Sequence, residues 1–442
     1  MVTSLVRIVF SLAVALLVTS SVAFAQMAEG QPGVQLVFGR AGSPGAGSNF
    51  LDLTADLLAG YDTALPQFSQ SNNRRIEGEV FEGAAGLTYF RSGQNFTLRT
   101  GYLGAVVHYP DFQRQGSQET LTANSHAGVA ELNLALSSHT DLTASQTISY
   151  SPFHHFRTLE TTGGALQTLS VGARDFFLVS RGAYSYISEV GVAHQIDSRT
   201  EVATFYSGHF TDFPREPQFN WTTQSVGARA SRQVAPNLAL VAGYAFTRHL
   251  SEDQTIPFDR HDVDLGVDYG QTLNVTRRTT FGFRTGSSMT TRRDQPASLE
   301  GPDTYLRLIG AADLNHRMGR TWQAHLGYER GFQYIVGIPE PFASDAVTAA
   351  IGGYLTNRLH FEMATSYTQG GLRYSTEGRG YNVYDASALL QYPISQRFAL
   401  DLNYLYVKYL PQGGLFLPGI PAAFERNAVR VGLSMWVPLL GH

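Results

Sequence analysis

Residues 384–409 read YDASALLQYPISQRFALDLNYLYVKY. Tyr384, Ala386, Ala388, Leu390, Tyr392 and Ile394 share one parity, while Asp385, Ser387 and Gln391 take the other, interrupted by Leu389. After Ser395, Gln396 and Arg397 the pattern restarts, with Phe398, Leu400, Leu402, Tyr404 and Tyr406 opposed to Asp401 and Asn403. A period of two on both sides of a short polar break predicts a β-hairpin closed by a tight turn. Soluble strands usually run about five or six residues. These pass ten, the length a tilted strand needs to cross a bilayer.

The same unit recurs around the chain. Strands are expected near 50–61, 79–91, 96–109, 119–136, 141–153, 183–196, 200–211, 219–234 and 238–249. The remainder lie near 260–273, 278–289, 304–317, 321–335, 344–355, 359–371, 381–394, 398–409 and 426–439. Short breaks such as SGQN (92–95), DSR (197–199), TNR (356–358) and SQR (395–397) alternate with longer ones rich in Pro, Gly and charge. Bacterial outer-membrane barrels have this asymmetry, with short turns on the periplasmic side and longer loops outside. The predicted fold is therefore all-β, a transmembrane antiparallel up-and-down β-barrel of about 18 strands, with 16–20 as the range. The loop at 154–182, which contains LSVGARDFFLV, has room for a further pair. A soluble propeller is the alternative, since its blades also repeat near 40 residues. Propeller strands are shorter, however, and the Trp-Asp punctuation of their blades is missing here.

Ahead of the first strand, residues 1–25 have the pattern of a cleavable signal peptide: Arg7, an apolar run from Ile8 to Val18, and Ala23-Phe24-Ala25 before Gln26. Residues 26–48, rich in Gly and Pro, read as a flexible periplasmic leader, and 49–442 as the barrel. Nothing after residue 26 approaches the apolar length of a spanning helix. No cysteine occurs, which removes disulfides and thiolate metal sites. Charged residues are 15% of the chain, against about 25% in soluble domains, and the 22 tyrosines and 27 phenylalanines suit a lipid-facing surface. A net charge of −4 gives no case for a nucleic-acid partner.

Aromatics collect toward the outer ends of strands: Tyr109 and Phe112, Tyr150 and Phe153, Phe210 and Phe213, Phe332 and Tyr334, Tyr406 and Tyr409. They are expected to form an interfacial girdle, with ordinary β-propensity as the plainer explanation. Lys408, the only lysine, sits on the lipid parity where its stem can snorkel.

With the apolar parity facing lipid, the other parity faces the lumen. Its acids include Asp262, Asp264, Asp268, Glu329, Glu362, Asp385 and Asp401, with Asp52, Asp56, Glu131, Asp141, Glu189, Glu201 and Asp313 further along the chain. The bases are Arg99, Arg229, Arg284, Arg307 and Arg430. An acidic lumen attracts cations and repels anions. Salt-bridged ladders in a plugged barrel are the competing expectation. Arginines in or beside the short turns, among them Arg199, Arg320, Arg358 and Arg397, stand where lipid phosphate, a periplasmic partner or plain solvent would meet them. No HExxH, EF-hand or GxSxG pattern occurs, so no catalytic residue, metal ligand or cofactor site is assigned. An aromatic track along the lumen would favour saccharides, but parity alone does not disclose one.

The stretches NFLDLTADLLAGYDTAL (49–65), VVHYPDF (106–112), SSHTDLTASQTISYSPF (137–153) and RNAVRVGLSMWVPL (426–439) resemble bacterial outer-membrane β-barrel proteins. More narrowly, they resemble uncharacterised barrels associated with exopolysaccharide loci. The likeness departs at the end of the chain, where Trp436 is followed by six further residues instead of closing the strand. The resemblance implies an outer-membrane location in a Gram-negative cell, lipid as surroundings, and porin-like passage of small solutes or a part in surface polysaccharide export. An outer-membrane enzyme, or a non-conducting structural or adhesive barrel acting through its outer loops, are the alternatives.

Overall fold

The computed structural model describes residues 49–63, 78–114, 117–151, 154–155, 178–179, 182–215, 217, 220–235, 238–251, 258–268, 278–292, 304–333, 342–372, 380–412 and 423–440. The expected signal peptide and leader fall outside the described residues. The first strands are β1 (Asn49–Asp62), β2 (Gly78–Ser92), β3 (Phe96–Arg114), β4 (Ser117–Ser137) and β5 (Thr140–Ser151). A two-residue ladder of β6 (His154–His155) and β7 (Leu178–Val179) forms a small sheet of its own, within the loop that has room for a further pair. The barrel resumes with β8 (Ala183–Asp197), β9 (Thr200–Asp212), β10 (Trp221–Ala235), β11 (Leu238–Ser251), β12 (Phe258–Asp268) and β13 (Thr279–Arg292). It continues with β14 (Thr304–Met318), β15 (Trp322–Gln333), β16 (Phe342–Tyr354), β17 (His360–Leu372), β18 (Gly380–Pro393), β19 (Phe398–Gln412) and β20 (Phe424–Leu440).

Apart from β6 and β7, every strand pairs antiparallel with its sequence neighbours, and β20 pairs with β1. The result is a closed sheet of 18 strands, as the alternation predicts. Closure gives every strand of the barrel a partner strand on each side, which is the condition for crossing hydrocarbon with β-structure. No helix among the described residues is long and apolar enough to cross a membrane.

The short turns are closed by side chains. Asp197 Oδ1 accepts the Arg199 N–H at 2.7 Å. Thr356 Oγ1 accepts those of Arg358 and Leu359 at 3.3 and 3.0 Å, and Ser395 Oγ those of Arg397 and Phe398 at 3.1 and 3.2 Å. A short oxygen-bearing side chain two or three residues ahead of a donor is what makes Asp, Ser and Thr turn formers. Between β14 and β15 the turn instead uses Gly319 at φ 67°, a left-handed conformation that glycine adopts without steric cost.

The sheet is inside out relative to a soluble protein. Leu57, Leu240, Leu265, Leu306, Leu308 and Val431 are exposed, while Asp52, Ser288, Thr368, Asp401 and Ser434 are buried. A continuous apolar belt around a closed barrel is stable against hydrocarbon and not against water. Lys408 stands on the belt side and pairs with Glu425 across the ladder at 3.6 Å.

The girdle expectation needs correction. Tyr109 and Tyr409 are each 1% exposed and point to the interior, and Phe213 and Phe332 are buried as well. Residues three apart on a strand face opposite ways, so at most one of Tyr406 and Tyr409 meets lipid. Tyr150 does lie on the outer side, where its ring stands 4.8 Å from that of Tyr184. The last strand runs through Trp436 to Leu440: the Trp436 N–H donates to the Arg397 carbonyl at 2.9 Å, and the register against β1 slips between Leu51 and Asp52.

Candidate functional site

The interior wall divides into a packed part and an open part. On the packed side, Asp62 at the end of β1 meets Arg426 of β20. Arg426 Nε donates to Asp62 Oδ2 at 2.8 Å and Nη2 donates to the same carboxylate, with both side chains fully buried. One turn of the ladder away, Arg430 Nη1 donates to Glu82 Oε2 at 3.0 Å. Glu82 belongs to β2 and Arg430 to β20, with β1 between them. Gly60 of β1 pairs with Arg430 on one side and Val80 on the other, and a Cβ on it would stand 2.7 Å from Arg430 Cγ. The missing side chain is the passage through which the arginine reaches its partner.

Further along this wall, Asp401 is buried, accepts a hydrogen bond from Ser434 Oγ and lies in register with Gln391. Asp385 accepts from Ser366 Oγ. Glu362 stands 3.6 Å from His360 Nε2. These carboxylates are held by hydroxyl donors or an imidazole rather than by arginine.

Asp262 on β12 pairs with Arg260 two residues back at 2.9 Å and accepts from Ser288 Oγ across the ladder. Asp264 stands between Gly243 and Gly286, opposite both in register. The side chains of Asp268 and Arg284 lie outside the described set. Glu329 is half-buried between Ala311 and Ala346.

Arg307 fills a break in the wall. Among the described residues the β14–β15 ladder begins at the Gly310 and Arg330 pair, so Arg307 to Ile309, beside Gly331 to Gln333, have no β15 partner in it. The buried Arg307 side chain enters there, lies 5.9 Å from the Phe332 ring, and donates from Nη2 to the Ser344 carbonyl at 3.5 Å and to Asp345 Oδ2 at 2.7 Å. Asp345 also accepts from the Tyr328 hydroxyl at 2.8 Å.

The open part differs. Arg99 faces Glu131 across β3 and β4 at 3.5 Å, and both remain partly exposed. Asp141 on β5, Glu189 on β8 and Asp313 on β14 are exposed on the inward parity, and Arg229 on β10 is half-exposed. Ser145 Oγ donates to Glu189 at 3.2 Å. Thus the charges expected in the lumen separate into buried pairs that hold the wall and exposed carboxylates. Reading by parity missed Asp62, Glu82, Arg260 and Arg426. For Glu82 the signal was available, because Phe81 and Leu87 mark the lipid parity of β2 and leave Glu82 inside.

No group of three or more His, Asp or Glu among the described residues is placed to hold a metal ion. A groove of about 630 Å³ is lined mainly by outward side chains including Leu57, Phe81, Val106, Leu400 and Val431, and it faces hydrocarbon rather than the lumen.

No family model matches the chain. No curated protein matches it either. Solved structures resemble it in outline. Acinetobacter baumannii OccAB4 is 11% identical over 90% of this chain and 100% of its own, with a TM-score of 0.41. Pseudomonas aeruginosa OccK2 (OpdF) in complex with glucuronate is 10% identical over 89% and 97%, with a TM-score of 0.44. A loop L8 deletion mutant of OmpT, an outer membrane protein of Vibrio cholerae, is 10% identical over 88% and 100%, with a TM-score of 0.36. The likeness concerns barrel outline and no more, and none of these names concerns exopolysaccharide. What the chain's own geometry establishes is its class, a closed antiparallel barrel of 18 strands with the apolar exterior of a bacterial outer-membrane protein.

Proposed function

We propose that this barrel is an outer-membrane channel that passes small solutes and prefers cations. The observation that carries the reading is the exposed carboxylate set Asp141, Glu189 and Asp313 on the inward face. Asp62 and Glu82 are paired with buried arginines, and Asp52 and Asp401 are buried, so the exposed acids are the ones an ion meets. Carboxylates in a low-dielectric wall concentrate cations and exclude anions. Barrels of 16–18 strands usually enclose an aqueous passage, which supports transport over a purely structural role. On this reading the short turns face the periplasm and the long loops the outside. A part in surface polysaccharide export rests on the sequence resemblance alone.

The test is a planar bilayer with a potassium chloride gradient and refolded protein whose folded state is verified by heat-modifiable gel mobility. Stable conductance steps with a reversal potential on the cation side are expected. Chloride preference overturns the selectivity, and silence from folded protein overturns the channel.

A further inference from the structure

At the long-loop end of the barrel, four strands bring together a group without carboxylates or guanidiniums that the acidic-lumen reading does not use. Ser185 of β8, His209 and Thr211 of β9, Trp221 and Thr223 of β10, and His249 of β11 share the inward parity. Trp221 pairs with Thr211, and Thr223 with both histidines. Their outward neighbours Tyr184, Val226, Tyr244 and Leu250 are exposed to the lipid side.

The indole of Trp221 is fixed between two imidazoles. The His209 ring stands edge-on at 4.3 Å, and the His249 ring lies at 5.8 Å. Each imidazole is oriented by a hydroxyl: Ser185 Oγ lies 2.9 Å from His209 Nε2, and Thr223 Oγ1 lies 2.8 Å from His249 Nδ1. The chain before Trp221 is also held, since the Phe213 N–H donates to Asn220 Oδ1 at 2.6 Å and the Asn220 N–H to the Pro217 carbonyl at 2.9 Å. An aromatic plate is thereby set in place before any ligand arrives, which lowers the ordering cost of binding.

Two polar atoms in this group have no partner. Trp221 Nε1 is buried without an acceptor, and so is Oγ1 of its cross-strand neighbour Thr211, a residue 2% exposed. By contrast, Trp322 donates its indole N–H to the Tyr354 carbonyl at 3.0 Å. Leaving a buried donor unsatisfied costs about 1–3 kcal/mol, and two side by side mark a place built for a hydrogen-bonding guest. The indole ring is half-buried, so part of it remains open. A flat aromatic surface beside hydroxyl and N–H donors, with no carboxylate or guanidinium among the six, suits a pyranose. Its C–H face stacks on the ring and its hydroxyls pair with the donors.

We propose that Trp221 and Thr211 form a binding subsite for an uncharged saccharide at the long-loop mouth of the lumen. The transport consequence rests on the channel reading, whereas binding does not. The experiment uses the whole folded chain in detergent micelles, with maltotriose as probe and a polyethylene glycol of the same size as control. Tryptophan emission should change with maltotriose and saturate. The change should vanish in W221F, and T211V should weaken the affinity by about tenfold, the equivalent of one lost hydrogen bond. In bilayers, maltotriose should interrupt the current of the wild type and not that of W221F, with ionic conductance retained. No saturable emission change, an equal change in W221F, or an equal response to the glycol overturns the subsite. An emission change that saturates while the bilayer stays silent leaves the subsite standing and removes the channel.

Discussion

Arg430 of the last strand and Glu82 of the second meet at 3.0 Å by crossing over the intervening first strand at Gly60. The pair therefore ties three strands at the place where the barrel closes, and its geometry depends on an atom that is missing. Replacing Gly60 by Ala puts a methyl 2.2 Å from the Val429 carbonyl and 2.7 Å from Arg430 Cγ. Crowding of this kind costs roughly 1–3 kcal/mol. G60A should lower the urea midpoint of the folded barrel by a corresponding amount, and in an R430A/E82A background, where the Cγ at 2.7 Å is gone and no charge is left unpaired, the same substitution should cost less.

The neighbouring pair responds in another way. Arg426 and Asp62 are both fully buried, so R426A strands a carboxylate in the wall. Removing one partner of a buried ion pair costs about 3–5 kcal/mol, mostly because the other charge is left behind. The double variant R426A/D62A should be more stable than R426A alone. Denaturant unfolding of all four members of the cycle measures this, and equal stability of the single and double variants argues against the pair.

Selectivity should follow the exposed acids rather than the buried ones. D141N/E189Q/D313N is expected to move the reversal potential toward zero, with folding unaffected, since exposed substitutions usually change stability by less than about 0.5 kcal/mol. D401N removes an acid that is already buried beside Ser434, and it should leave the reversal potential where it was.

Gly319 is the residue with positive φ, at 67°, among the described glycines. A side chain there meets no neighbouring atom, so the penalty for G319A is conformational alone, about 1–2 kcal/mol. G319N should be tolerated better than G319A, because asparagine visits the left-handed region more readily. Thermal unfolding followed by gel mobility ranks the three proteins.

The eighteen strands and the two faces were legible because a strand at the lipid boundary writes a period of two into the sequence, as in Phe398 to Tyr406. The same period, applied strictly, also places Tyr109 and Tyr409 inside, although clustering of aromatics at strand ends suggested otherwise. What the alternation does not carry is partnership. Glu82 and Arg430 are 348 residues apart and do not lie on adjacent strands, so neither spacing nor parity joins them. The Trp221 group is equally silent in the sequence. Its members come from four strands, and only the register sets the indole between His209 and His249.

The break beside Arg307 gives the wall a mechanical character of its own. Where a strand is clasped along both sides, pulling it out requires many backbone bonds to part together. From Arg307 to Ile309 the side toward β15 carries no ladder pair, and a guanidinium grips a carbonyl and a carboxylate on β16 instead. A side chain with rotatable bonds yields sooner than a ladder. Amide exchange at Arg307 to Ile309 should accordingly run ahead of that at Gly310 to Ala312, which the β15 ladder holds, and the rim yields here by rotation of one side chain.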